Sequence, residues 1–408
     1  MARRTAGRLA IALGAAIAVA ACGSAGASGE ASSPAATTPA PATASSSAPA
    51  PEQSLLIQPP SIPLRAGERF VTLQMASAYR PSAPTGGTDD YRCFVIDPGL
   101  TQDTFLTGTQ FFPQNPALVH HAILFYLPPD QVQAAQALDD STPGEGWTCF
   151  GGAGVGGAGD QGLDAVPWVG AWAPGGKEGV SPAGTGRKLE AGSRIILQVH
   201  YNLLNATQAP STTDRSGVRL RLAPAGARLK QLETMLLLAP VELPCPSGQT
   251  GPLCDRQKAE LDLVQRFGAE SAATVEGLQL LCGDGSGRPR PGPTQSCTRP
   301  VQQREVIHGI AGHMHLLGRS IRVDLNPGTP SARTLLNVPV YNFDNQNPHW
   351  LAKPVVVKPG DRLRVTCTHD AGLRQMLPAL RSLPPRYVLW GEGTSDEMCL
   401  AVVTWSNS

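Results

Sequence analysis

Ala117-Leu118-Val119-His120-His121-Ala122-Ile123-Leu124-Phe125-Tyr126 is an apolar run rich in β-branched and aromatic residues, with two adjacent histidines set into it. It reads as a buried β-strand. Similar short runs follow outward from it at Arg69–Leu73, Arg194–Tyr201, Gly217–Leu222, Ser320–Val323, Val355–Val357, Arg362–Cys367 and Tyr387–Trp390. Turn signals such as Pro359-Gly360-Asp361 punctuate them, and Gly 44 plus Pro 38 make up a fifth of the 408 residues. Both features favour an all-β, loop-rich body. One segment departs from this pattern. Between Cys254 and Cys282, Leu261, Leu263, Val264, Phe267 and Val275 form an approximate helical stripe, which reads as a disulfide-bounded insertion over about 245–297, in the role of scaffolding.

The N-terminus points to an extracytoplasmic location. Arg3, Arg4 and Arg8 precede an apolar Leu9–Ala21 stretch that is too short to span a bilayer and ends in Val19-Ala20-Ala21-Cys22. This is the pattern of a bacterial lipoprotein signal over residues 1–22, with lipidation at Cys22 and anchorage to the cell membrane. Residues 23–54 are almost entirely Ala, Ser, Pro, Thr and Gly, a composition that cannot bury a core and reads as a disordered tether. The remaining stretch of about 350 residues is long enough for two domains. Setting Cys22 aside leaves eight cysteines, an even number that implies up to four disulfides in an oxidising compartment. Cys245, Cys254, Cys282 and Cys297 share one segment and are expected to pair among themselves, in an order the spacing leaves open. They form no Cys-x-x-Cys zinc knuckle.

A formal charge of +1 and the lack of a dense basic stripe argue against nucleic-acid binding. Gly152-Ala153-Gly154-Val155-Gly156-Gly157 matches a dinucleotide-binding pattern literally, but it sits in a glycine-saturated loop with no helix after it. The chain is expected to be a monomer acting on a small molecule.

The chemistry is concentrated in a few segments: His120-His121, His200, His313-Met314-His315 and Met398-Cys399. Imidazole binds most first-row metals, whereas a thioether is soft and favours Cu(I), so histidines with a methionine select copper. In an extended strand His313 and His315 face the same way and can chelate one ion, leaving Met314 to pack behind them. Taken alone, such a pair also fits two hydrogen-bonded polar residues. Adjacent His120 and His121 project to opposite faces of a regular strand, so a shared metal there requires a bulge or the use of different ring nitrogens, and a distortion is expected. Gln198 and His200 share a face of Arg194–Tyr201.

Val119-His120-His121-Ala122, Leu197-Gln198-Val199-His200-Tyr201, Gly312-His313-Met314-His315-Leu316-Leu317-Gly318 and Gly393-Thr394-Ser395-Asp396-Glu397-Met398-Cys399 together resemble the copper type II, ascorbate-dependent monooxygenases, in family order. The resemblance extends from about Phe70 to the C-terminus. It implies two tandem antiparallel β-sandwich, jelly-roll-like domains with a cleft between them, at 55–226 and 227–408, with the boundary near Ala223–Arg228. It further implies one copper at His120, His121 and His200 that stores an electron, and a second at His313, His315 and Met398 where oxygen binds. The implied reaction hydroxylates an aliphatic C–H with O2 and two electrons from ascorbate or a similar donor. Cys93 and Cys149 resemble a family bridge, and Cys367 and Cys399 sit on two strands near the second copper.

The departures from the family concern the substrate. In the peptide-hydroxylating members an Arg, an Asn and a Tyr hold the peptide carboxylate; here those positions are Ala311, Leu400 and Val402. A peptide C-terminus is therefore not the expected substrate, and a less polar molecule is. His308, His349 and His369 match no motif and read as surface or hydrogen-bonded residues. Glu392, Asp396 and Glu397 read as a solvated turn, with an alternative role in orienting histidines. The rival to catalysis is a copper-binding or copper-delivery lipoprotein that uses the same ligands.

Overall fold

The computed structural model describes residues 55, 57–84, 87–155, 167–204, 206, 211–283 and 285–408. The expected signal segment, Cys22 and nearly all of the expected tether lie outside the described residues. So does part of the glycine loop that begins at Gly152.

Strand Val119–Leu127 lies inside a five-stranded sheet, bonded to Arg194–Asn202 on one side and Trp168–Trp172 on the other. Asp89–Ile96 and Trp147–Thr148 complete that sheet beyond Arg194–Asn202. Alternate side chains serve different cores. Ala122, Leu124, Leu197 and Val199 join Leu106, Phe111, Val218 and Leu220, which come from a facing sheet of Arg69–Gln74, Gly217–Leu222, Thr104–Phe112, Thr185–Leu189 and Lys230–Gln231. Ile123, Phe125, Leu127 and Ile196 join Leu236, Val403 and Val323 from the C-terminal sheets. A strand buried on both faces loses the polar alternation of a surface strand, which is why 117–126 is nearly continuous in apolar residues. Each buried Leu, Ile or Phe contributes about 1.5–3 kcal/mol over its exposed state.

The C-terminal half is a second sandwich. Glu233–Leu238, Leu400–Asn407, Glu305–His313 and His349–Val357 form one sheet. Thr294–Pro300, Arg362–His369, Gly318–Leu325 and Arg333–Val338 form the other, and Ile307, Ile310 and Val403 meet Ile321, Val323 and Val365 between them. All these sheets belong to one compact unit. The chain is thus all-β with one small helical region. Strand pairing is antiparallel, apart from a short parallel pairing of Lys230–Gln231 with Thr185–Leu189 and an isolated parallel bridge at Trp390 and Glu397.

The helical segment holds two helices rather than one stripe, Arg256–Phe267 and Ala269–Cys282. Asp255 caps the first by accepting from the Lys258 amide at 3.0 Å. Gly268, at φ +88°, supplies the left-handed break between them. Four disulfides join Cys93–Cys149, Cys245–Cys254, Cys282–Cys297 and Cys367–Cys399, so the open pairing in the insertion resolves into neighbours in sequence.

Candidate metal centre

The distortion expected at the adjacent histidines is present as a bulge. The register of Val119–Leu127 against Arg194–Asn202 shifts between Val119 and His121, and this turns both rings toward His200. The three Nδ1 atoms lie 3.1 Å (His120–His121), 3.2 Å (His120–His200) and 3.2 Å (His121–His200) apart. His200 Nε2 faces the Asp89 carboxylate at 2.9 Å. Burial pushes the Asp89 carboxyl up, but the bond and charge of His200 with the bonds from Thr394 and Thr88 together leave it below the usual range. An ionised carboxylate only accepts, so His200 carries its proton on Nε2 and turns an Nδ1 lone pair toward the other two rings. Burial, then the imidazole of His200, drives His120 and His121 well below the ordinary histidine value. Neutral lone pairs converging in a buried space repel one another unless a cation lies between them. Three imidazole nitrogens at about 2 Å from a metal stand roughly 3.3 Å apart, close to the spacing here. Tyr91 stacks on His200 with centroids 4.0 Å apart, and Phe343 on His120 at 4.3 Å, which fixes the rings.

His313 ends strand Glu305–His313, and His315 lies just past it. The pair is therefore presented by a strand end and the turn that follows, not by two positions of one strand. The cause is local. The Tyr341 hydroxyl accepts from the Met314 amide at 2.9 Å and donates to its carbonyl at 2.7 Å, taking both backbone groups out of the ladder. Met314 is buried behind the pair, as expected. His313 Nδ1 meets Gln346 Oε1 at 2.6 Å, and His315 Nδ1 meets the Asp396 carbonyl at 3.3 Å, leaving both Nε2 atoms for another partner. His315 Nε2 is buried with no hydrogen-bond partner. Burial depresses both rings, His313 to about 3. Outer hydrogen bonds that fix the ring and leave one nitrogen bare are the usual support of a metal-binding histidine. Met398 is tied to this pair through Glu397, whose carboxylate accepts from the amides of His315 (2.9 Å), Leu317 and Met398 (3.2 Å).

Gly393–Met398 is buried and Glu392 half-buried, contrary to the solvated turn expected for these acidic residues. Asp396 takes a two-pronged bond from Arg266 (2.6 and 2.8 Å) and a third from Arg386 at 2.9 Å. Burial raises its carboxyl, but Arg266 holds it at about 2. Arg266 lies on the first insertion helix, so that helix clamps the loop carrying Met398 and does more than scaffold. Glu397 also pairs with His369, at 3.4 Å. On its other side the loop reaches the first histidine set. Thr394 Oγ1 donates to Asp89 at 2.6 Å, and Tyr91 Oη donates to the Glu392 carbonyl at 2.7 Å. A continuous polar chain, His200–Asp89–Thr394, thus links the two sets. Of the unmatched histidines, His308 is buried against Ser406 at 2.9 Å and His349 is exposed.

The two sets meet at one cavity of about 190 Å³, lined by His121 from the first and by His313 and Met398 from the second, and walled by Trp168, Trp172 and Trp350. His121 and His313 are in edge contact, with centroids 5.6 Å apart. Ala311, Leu400 and Val402 also line it; Ala311 pairs across the sheet with Val402, and His313 with Leu400. The apolar replacements seen in sequence therefore form the wall beside His313.

Asp89, Gln346, Arg266 and Phe343 are site residues that the sequence did not mark. Each belongs to a segment distant in sequence from the ligand it supports, and none carries a motif of its own.

Residues 294–407 match the family described as copper type II ascorbate-dependent monooxygenase, C-terminal domain. Over 112 residues the chain is 28% identical to MOXD1 homolog 1 of Drosophila melanogaster, which is 27% of this chain and 15% of that protein; the match thus spans well under two thirds of that relative. Among solved structures, allantoicase shares 12% identity over 74% of this chain and 78% of its own, with a TM-score of 0.15. A fucolectin from the striped bass Morone saxatilis shares 6% over 83% and 97%, with a TM-score of 0.17. Likenesses this weak have no bearing on fold or chemistry.

Proposed function

Residues 294–407 belong to the C-terminal domain of the copper type II ascorbate-dependent monooxygenases, and from that premise we propose that the whole chain is a copper-dependent monooxygenase. In this reading it inserts one atom of O2 into an aliphatic C–H bond of a small substrate. Two electrons, from ascorbate or a similar donor, and two protons convert the other oxygen atom to water. One copper would be held by His120, His121 and His200, in the domain 55–226, and the second by His313, His315 and Met398, in the domain 227–408. Bound copper supplies one-electron redox chemistry and oxygen activation. The observation that carries the reading is the pair of histidine sets, each with bare ring nitrogens and fixed outer hydrogen bonds, that meet at a single cavity through His121, His313 and Met398.

The chain's own residues have defined tasks. Asp89, Gln346 and the Asp396 carbonyl hold the tautomers of His200, His313 and His315. Glu397 fixes the backbone of His315 relative to Met398. Trp168, Trp172 and Trp350 exclude water from the space beside His313, which keeps a reactive centre from side reactions. The Leu9–Ala21 stretch followed by Cys22 supports a lipid-anchored, extracytoplasmic protein.

Ascorbate-driven oxygen uptake by the copper-loaded protein, measured with a panel of small substrates and product identification, tests the proposal. Uptake matched mole for mole by hydroxylated product is expected. Stable copper binding with no coupled product across the panel favours copper storage or delivery instead.

A further inference from the structure

Arg187 lies on strand Thr185–Leu189, paired with Leu106, and lines the same cavity as His121, His313 and Met398. No described residue makes a hydrogen bond or ion pair with its guanidinium. Glu233 acts on it only from beyond ion-pair distance, and burial draws it down to about 10, so it stays charged at neutral pH. A cation that faces an apolar enclosure without a partner is costly, and the cost is relieved when an anion enters.

The rest of the lining supports the same sign. Lys177 stands exposed at the edge of the cavity. Among the described residues the one acidic side chain on the wall is Glu392, which burial, then Asp396, raises to about 8 and so keeps largely neutral at pH 7. An ammonium group entering here would meet Arg187 and Lys177 without an ionised carboxylate to offset them. Ala311, Leu400 and Val402, which also line it, carry no charge.

We propose that Arg187 anchors the substrate, and that the substrate is an apolar molecule, of the size of a single aromatic ring with a short chain, carrying one carboxylate. A planar guanidinium fork matches a carboxylate in geometry, and the single positive charge of half-buried Arg187 balances one negative charge. The apolar body lies along Trp168, Trp172 and Trp350. Anion recognition thus comes from the N-terminal sheet, while Ala311, Leu400 and Val402 leave the metal-side wall greasy. This deepens the proposed function and rests on it for the word substrate.

The three cavity tryptophans give a binding signal that needs no copper. Intrinsic fluorescence of the purified full chain, free of metal, is titrated with 4-phenylbutyrate, 4-phenylbutan-1-ol, 4-phenylbutylamine and phenyl phosphate. The carboxylate is expected to bind about tenfold or more tightly than the other three. Arg187→Gln abolishes that preference, Arg187→Lys retains part of it, and Lys177→Gln leaves it in place. Should Arg187→Gln fail to fold, the wild-type series with Lys177→Gln still decides. Absent or unselective carboxylate binding, a preference that survives Arg187→Gln, or one lost in Lys177→Gln overturns the assignment. Because the titration is run without copper, a chain that binds no copper or forms no product sinks the proposed function separately from this result.

Discussion

Asp89→Asn is a nearly isosteric change at a carboxylate that touches both halves of the site. Asp89 is 2% exposed and accepts from His200 Nε2 at 2.9 Å, Thr394 Oγ1 at 2.6 Å and Thr88 Oγ1 at 2.8 Å. The amide keeps the volume but loses the negative charge that fixes the His200 tautomer. Loss of such an outer partner weakens metal binding by about 10–100-fold, or roughly 1.4–2.7 kcal/mol. The loss should fall on the first copper, while the ion at His313, His315 and Met398 keeps its affinity. Chelator competition, followed as copper retained per chain, separates the two. The metal-free fold should also lose about 1.5–3 kcal/mol, the scale of hydrogen bonds to a charged group. The folded carboxyl of Asp89 lies below its ordinary value of 3.8, so this contribution is present above that value and is lost as pH falls through the folded one. Unchanged first-site affinity, or equal weakening at both sites, would refute the role given to Asp89.

Met398→Leu conserves core volume but removes the soft ligand, so copper should persist at the first site while coupled hydroxylation disappears; full activity by product assay would remove Met398 from the site. His200→Ala should lower bound copper from two toward one per chain by elemental analysis, and an unchanged two would count against the first trio. Arg266→Leu leaves Asp396 buried with Arg386 as its remaining cation, which should cost about 3–5 kcal/mol in denaturant unfolding. The Asp396 carboxyl, held at about 2 against an ordinary 3.8, stabilises the fold above that ordinary value and ceases to as pH falls toward 2; without Arg266 its folded value rises, so the variant should lose less stability than the wild type as pH falls from 3.8 toward 2. Replacing Cys93 and Cys149, which close 56 residues, should cost about 4 kcal/mol, against about 2.5 for Cys245 and Cys254, which close 9; the reverse order in urea unfolding would contradict the loop-entropy account.

Strands with one dominant signal were legible in sequence. Val119–Leu127, Arg194–Asn202 and Gly217–Leu222 announce themselves because apolar and β-branched residues run together. Asp89–Ile96 does not, since it opens with two aspartates and includes Arg92, polar groups that pay off only against partners far along the chain. A distortion at His120-His121 could be expected from strand geometry, because two adjacent rings on a regular strand face opposite ways, and the structure realises it as a bulge. The end of the ladder at His313 could not, because it depends on the Tyr341 hydroxyl, 27 residues from Met314. The acidic loop before Met398 looked solvated for a similar reason. Its counter-charges, Arg266 and His369, lie 130 and 28 or more residues away, and burial of a carboxylate cannot be read without them. Nor did composition mark Arg187, a single cation made conspicuous only by the apolar cavity around it.

The central claim is that two histidine sets on one cavity drive insertion of oxygen into a C–H bond. It is tested most directly by mass spectrometry of the product formed by the copper-loaded chain under 18O2 with ascorbate. The account predicts that each product molecule carries one oxygen atom derived from 18O2. A product whose new oxygen comes from water, or no oxygenated product while copper stays bound, would contradict it.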